Sequence, residues 1–158
     1  MENDLSPDKI LPRAIDTYWK KSQMPIKKTM ILSFFAGIFI SLAAVASSLA
    51  SAHLLASPET LPMGKLIQGL VFTPGLIFVM VAGGELFTGN CLMVFALLDK
   101  KTSLKTMLKS WLLVYLGNFI GALFIVILIS QSGQWLMGDG LVGARTILIA
   151  KAKIDLSF

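Results

Sequence analysis

The chain has 158 residues, 55% hydrophobic and only 15% charged, with a net charge of +5, a composition that excludes an ordinary soluble domain. One cysteine, Cys91, excludes an internal disulfide, and a single histidine, His53, excludes a Cys/His metal centre. The 14 Lys and Arg residues lie in short segments beside apolar runs, a membrane-topology pattern that excludes a nucleic-acid-binding stripe.

Residues 1–28 form an N-terminal segment. Ser6-Pro7-Asp8 reads as a helix start: the serine side chain accepts from the first free amides, proline suits the first turn, and the acid complements the positive end. Ile10, Leu11, Ala14, Ile15, Tyr18 and Trp19 recur at helical spacing while Lys9, Arg13, Asp16, Lys20 and Lys21 take other positions, which predicts an amphipathic helix, tilted at Pro12. Two placements fit it equally: in the lipid interface with Tyr18 and Trp19 at headgroup depth, or against the protein's own cytoplasmic face.

No charge falls between Lys28 and Glu59, and span one is expected over residues 29–57. Small residues four apart, Ser33-Gly37-Ser41 and Ala43-Ser47-Ser51, mark it for close helix contact. His53, near its outer end, reads as an interfacial or capping residue.

The second apolar segment, residues 66–98, holds 33 residues. As one helix it would reach about 50 Å, against a hydrocarbon core of about 30 Å. Its centre carries Val81-Ala82-Gly83-Gly84-Glu85-Leu86-Phe87-Thr88-Gly89-Asn90-Cys91, so a loop over about 83–89 is expected to join two half-helices, the second starting near Thr88. Such a start points free amides and a positive helix end at the interior. Glu85 is the one charged residue in any expected span; it is either a pathway group or, as favoured here, a carboxylate that accepts backbone N–H bonds and holds the loop. Gly83, Gly84 and Gly89 shape that loop. Thr88 is assigned to a pathway and Asn90 to loop structure, Pro74 is expected to kink the first half, and Cys91 reads as small packing.

Residues 99–109 are a basic loop, residues 110–137 are span three with Gly117-Asn118-Phe119-Ile120-Gly121, and residues 138–158 are a tail. Six Lys and Arg precede span one, one lies between spans one and two, four between two and three, and three follow, which predicts a cytoplasmic N-terminus and an extracytoplasmic tail.

Gly83-Gly84-Glu85-Leu86-Phe87-Thr88-Gly89-Asn90, followed by the basic loop and Trp111-Leu112-Leu113-Val114-Tyr115-Leu116-Gly117-Asn118-Phe119-Ile120-Gly121-Ala122, closely resembles the formate/nitrite transporter family, which includes formate, nitrite and hydrosulfide channels. The resemblance extends along essentially the whole chain to Ala150-Lys151-Ala152-Lys153. It implies an all-α membrane protein of aquaporin-like inverted-repeat fold, of which this is the first three-span repeat with its broken second helix. It also implies a pentamer in the inner, cytoplasmic membrane with one pore per protomer. By position in the motif, Leu86, Phe87 and Thr88 would stand at the pore, Phe72 and Leu76 would help form apolar constrictions, and Lys153 would supply positive potential. The family's central histidine belongs to a fifth span; His53 does not match it. The ending at Leu156-Ser157-Phe158 reads as the threshold of a further apolar run, so the chain is expected to be the N-terminal half of a longer one.

The expected function is a channel for small monovalent weak-acid anions, formate or nitrite foremost and hydrosulfide as a further substrate, with the lipid bilayer and further copies of the chain as partners. The alternative is a small non-conducting assembly or regulatory subunit whose small-residue faces bind partner helices. No nucleophile stands beside a base, so no enzyme is expected, and no cofactor.

Overall fold

The computed structural model describes residues 6–156; the first five residues of the N-terminal segment and the last two of the tail lie outside the described residues. The elements are helices: α1 (Pro7–Ser22), α2 (Ile26–Ser51), α3 (Leu61–Val81), α4 (Phe87–Asn90), a 3-10 turn (Cys91–Met93), α5 (Val94–Leu98), α6 (Leu104–Ser132), a second 3-10 turn (Gln134–Leu136) and α7 (Leu141–Ile154). α2, α3 and α6 are long and apolar enough to cross a membrane, and Phe87–Leu98 is a shorter apolar helix. The chain is an all-α membrane protein.

Several boundaries differ from those expected, for local reasons. The Ser6 side chain does not cap α1; its main-chain carbonyl does so instead, accepting from the Lys9 N–H at 2.8 Å. α2 starts three residues early, because Pro25 can enter a helix without an N–H to satisfy and Lys27 and Lys28 stay exposed on its first turn. It stops at Ser51, where a turn takes over and the Thr60 hydroxyl donates to the Leu54 carbonyl at 2.7 Å. α3 starts at Leu61 with Pro62 in its first turn and runs through Pro74 to Val81. α6 starts at Leu104 because the Ser103 hydroxyl accepts from the Thr106 N–H at 3.2 Å, which turns half of the expected basic loop into helix, and it ends at Gly133, whose φ of 70° closes it. The tail carries a helix, α7, that hydropathy alone does not delimit.

α2 is the central post. Its Ala43 faces Gly75 of α3, its Ser47 hydroxyl donates to the Gln68 carbonyl at 2.7 Å, and Phe39 meets Phe78, so α3 packs antiparallel to it. On another face Ser33 lies on Gly117, and Phe34 meets Gly121 and Phe124, so α6 runs parallel to α2. A Cβ on Gly37 would strike the main-chain carbonyl of Asn118, and one on Gly121 that of Phe34. In lipid such close approach supplies the packing energy that escape from water cannot. The core is accordingly narrow and built of small residues: Ser33, Ala36, Gly37, Ala43, Ser47 and Ser51 of α2 are buried, with Val79, Met93, Ala96 and Val114 around them.

α1 buries no residue completely. It packs across the end of the bundle on the short second helix and on α6, with Ala14, Ile15, Tyr18 and Lys21 half-buried while Ile10, Leu11 and Trp19 stay exposed. The Lys101 ammonium binds the Asp16 carboxylate at 2.7 Å and fastens α1 to the turn after α5.

Candidate functional site

α3 stops where its carbonyls find new donors. The Ala82 N–H donates to Phe78, Gly83 to Met80 and Gly84 to Val79, the last at 2.7 Å, and Gly83 takes a φ of 65°, which a side chain resists. A Cβ on Gly84 would stand 3.2 Å from the Cβ of Ala36, so the turn lies tight against α2. Gly89 differs: it is helical and has open space where a Cβ would go. Beyond the turn the Glu85 N–H reaches across to the Leu32 carbonyl of α2 at 3.3 Å. Helix resumes at Phe87, one residue ahead of the expected Thr88.

Asn118 of α6 ties the break together. Its side-chain oxygen accepts from the Phe87 N–H at 2.9 Å, and its amide nitrogen donates to the carbonyls of Ser33 and Glu85, both at 2.8 Å.

Glu85 is buried, with a side chain 4% exposed. Its carboxylate accepts from side chains rather than from the backbone N–H groups expected: Asn90 Nδ2 lies 2.7 Å from Oε2, and the Lys21 ammonium lies 3.0 Å from Oε1 and 3.2 Å from Oε2. Asn90, itself buried, also donates to the Leu86 carbonyl at 3.1 Å, and its own carbonyl accepts from the Trp111 indole at 2.9 Å. The carboxylate is thus doubly hydrogen-bonded and charge-compensated, the condition for burying it. Close by, Tyr18 feels both burial and the Glu85 charge, which raise its phenol above the ordinary tyrosine range.

A cleft of about 420 Å³ opens beside the break, lined by Tyr18, Lys21, Leu76, Val79, Met80, Gly83, Gly84, Glu85, Leu86, Thr88 and Gly89. Of the residues assigned to a pathway, it brings together Leu76, Leu86 and Thr88. The exposed Thr88 hydroxyl has no hydrogen-bond partner among the described residues. The Phe87 ring turns the other way, edge-on to Trp111 and Tyr115, each at 5.9 Å between centroids. Phe72, one turn before Leu76, is outside the cleft lining, as is Lys153, which is exposed near the end of α7. The cation in this cleft is Lys21. Sequence reasoning placed it only on the polar side of a helix, although its i−3 neighbour Tyr18 marked the face that docks.

Cys91 is half-buried in the 3-10 turn, and His53 packs over Gly138, where a Cβ would stand 2.9 Å from its Nε2. The small-residue faces of α2 and α6 that were open to partner helices are filled by contacts within the chain.

The profile of the family described as formate/nitrite transporter matches residues 8–158. The chain is 34% identical to the formate channel FocA of Escherichia coli over 100% of its own length and 56% of that relative. It is 32% identical to a probable formate transporter of Methanothermobacter thermautotrophicus, covering 87% of the chain and 51% of the relative. It is 34% identical to the uncharacterized transporter YrhG of Bacillus subtilis, covering 96% and 56%. The chain spans about half the length of these curated relatives.

Proposed function

The chain belongs to the formate/nitrite transporter family, and from that premise we propose that it forms one wall of a pore for small monovalent weak-acid anions. Formate is the first candidate, since relatives bear its name, with nitrite and hydrosulfide as further substrates. The observation that carries this reading is the cleft beside the break, where the free Thr88 hydroxyl and the Lys21 ammonium stand among Leu76, Met80 and Leu86. Apolar walls oppose a hydrated ion, while one hydroxyl, one ammonium and the start of the second half-helix make a small anion tolerable without binding it tightly. Lys21 already shares its charge with Glu85, so the site attracts but does not hold. Weak attraction suits a conducting path, which must release what it admits.

The reading extends to assembly and orientation. A second, inverted three-span repeat supplies the opposite wall in an aquaporin-like fold, and five such protomers assemble in the cytoplasmic membrane. α1 then lies on the cytoplasmic side, in keeping with the bias of basic residues toward that end. What supports the two-repeat arrangement is the covered length, about half that of the relatives. The exposed apolar side chains beside the cleft, among them Met80 and Val81 at 68% and 82%, are the surface the opposite wall covers.

Formate flux into proteoliposomes loaded with the full-length protein tests this. Thr88→Ala lowers flux about two- to tenfold, the worth of one neutral hydrogen bond, while Thr88→Ser retains it and both variants keep the native assembly size. A native protein that passes no small anion ends the reading.

A further inference from the structure

The half-helix after the break has no local cap. Leu86 occupies its N-cap position and offers no side-chain acceptor, yet the Phe87 N–H is satisfied at 2.9 Å by Asn118, 31 residues further along the chain. The same amide donates to Ser33 of α2 and to Glu85 of the loop, so both its donor hydrogens and its acceptor oxygen are engaged, each with a different segment. Its location is fixed at the backbone, because the α6 main chain at Asn118 sits directly against Gly37 of α2, where any Cβ would strike the Asn118 carbonyl. Leu86 and Thr88, the residues on either side of the anchored N–H, both line the cleft.

We propose that Asn118 is the positioning residue of the constriction: it sets the spacing between the Leu86 side chain and the Thr88 hydroxyl, and through that spacing the size of anion admitted. The inference rests on the reading of the cleft as an anion path. Asn118 itself is removed from the anion, acting through main-chain groups of the loop. A side chain that selects by size must be held to within about 0.5 Å, and the loop's own sequence, with Gly83 and Gly84 before it, supplies no such stiffness. An aspartate would keep the acceptor and lose both donors; an alanine would lose all three bonds.

The test compares formate with acetate flux in proteoliposomes of the full-length protein. In Asn118→Ala, which loses all three bonds, the formate-to-acetate ratio falls about two- to tenfold, the worth of the one bond that seats the Phe87 N–H between Leu86 and Thr88, with assembly size unchanged. A native ratio in an assembled Asn118→Ala protein overturns the inference and leaves the anion reading standing. Should that variant fail to assemble, Phe87→Pro against Phe87→Ala decides. Proline suits the first position of a helix and lacks only the N–H that Asn118 accepts from, and both variants lose the same ring. A lower ratio in Phe87→Pro than in Phe87→Ala supports the assignment, and equal ratios overturn it. A native protein without formate flux removes the anion path and this inference together.

Discussion

The Lys21 ammonium of α1 lies 3.0 Å and 3.2 Å from the two carboxylate oxygens of Glu85, joining residues 64 apart in the chain. A helix that buries none of its residues is therefore pinned by a charge pair whose acidic half is buried. Removing one side of a buried pair costs about 3–5 kcal/mol. Because Lys21 is 28% exposed, the expected loss for Lys21→Met is nearer about 1–3 kcal/mol. The double variant Lys21→Met/Glu85→Gln recovers part of it, since Gln still accepts from Asn90. Thermal unfolding of the detergent-solubilised protein reads this cycle, and strictly additive single effects would disprove the coupling.

The second fastening of α1 is pH-dependent. The hydrogen bond from Lys101 and its charge hold the Asp16 carboxyl below the ordinary range, and the bond to Asp16 holds Lys101 above its own. A lowered acid contributes stability above its unfolded value, about 3.9, and loses it as pH falls through the lower folded value. A raised lysine contributes fully below about 10.4 and loses it as pH rises through the higher folded value. The pair therefore holds α1 evenly between these limits and releases it at either extreme. Hydrogen exchange of α1 amides increases at both ends of the range, and Lys101→Gln gives the released level throughout.

The α2–α6 interface predicts a sharp contrast among glycines. Gly37→Ala and Gly121→Ala set a methyl against a backbone carbonyl and cost about 1–3 kcal/mol, as overpacking does. Gly69→Ala and Gly89→Ala meet nothing within 4 Å and leave the melting temperature at or above the native value. A uniform response across the four, in the same unfolding measurement, would refute the interlock.

Lys21 and Lys153 separate by salt. Lys153 is exposed on α7, outside the cleft, so its action on an anion is at long range and the flux lost in Lys153→Gln shrinks as ionic strength rises past the point where the Debye length is about 10 Å. Lys21 borders the cleft, and the loss in Lys21→Gln persists in high salt. Flux measured from low to high ionic strength distinguishes them, and identical salt curves would contradict the placement.

The site was legible where local chemistry is unusual. A lone carboxylate among glycines in a 33-residue apolar run announced Glu85 and the break, because helix length and membrane thickness cannot both be met otherwise. The partners of that carboxylate were hidden. Lys21 reaches it only after α1 folds back across the bundle, and Asn118 looks like any polar residue in a glycine-rich helix until α2 and the loop arrive around it. Side-chain direction was hidden for the same reason: Leu86, Phe87 and Thr88 are consecutive, but only the Trp111 and Tyr115 rings of α6 show why the middle one turns away. Boundaries slipped where a cap outweighed hydropathy, as at Ser103.

The glycine contacts between α2 and α6 also determine which parts can move. Sliding α6 by one turn, about 5.4 Å, brings Ile125 or Leu113 to a slot that Gly121 or Gly117 now fills. Shear between these two helices is blocked in both directions, so they act as a stator, with Asn118 as a fixed peg upon it. Conformational freedom falls to places without such a close approach: the turn at Gly83, where one residue carries the left-handed conformation and nothing lies within 4 Å of a Cβ, and α1, which buries no residue and is tied by two ion pairs. Among the described residues, the movements left open are therefore a hinge about Gly83 and a lifting of α1, with the α2–α6 pair as the frame against which they are measured.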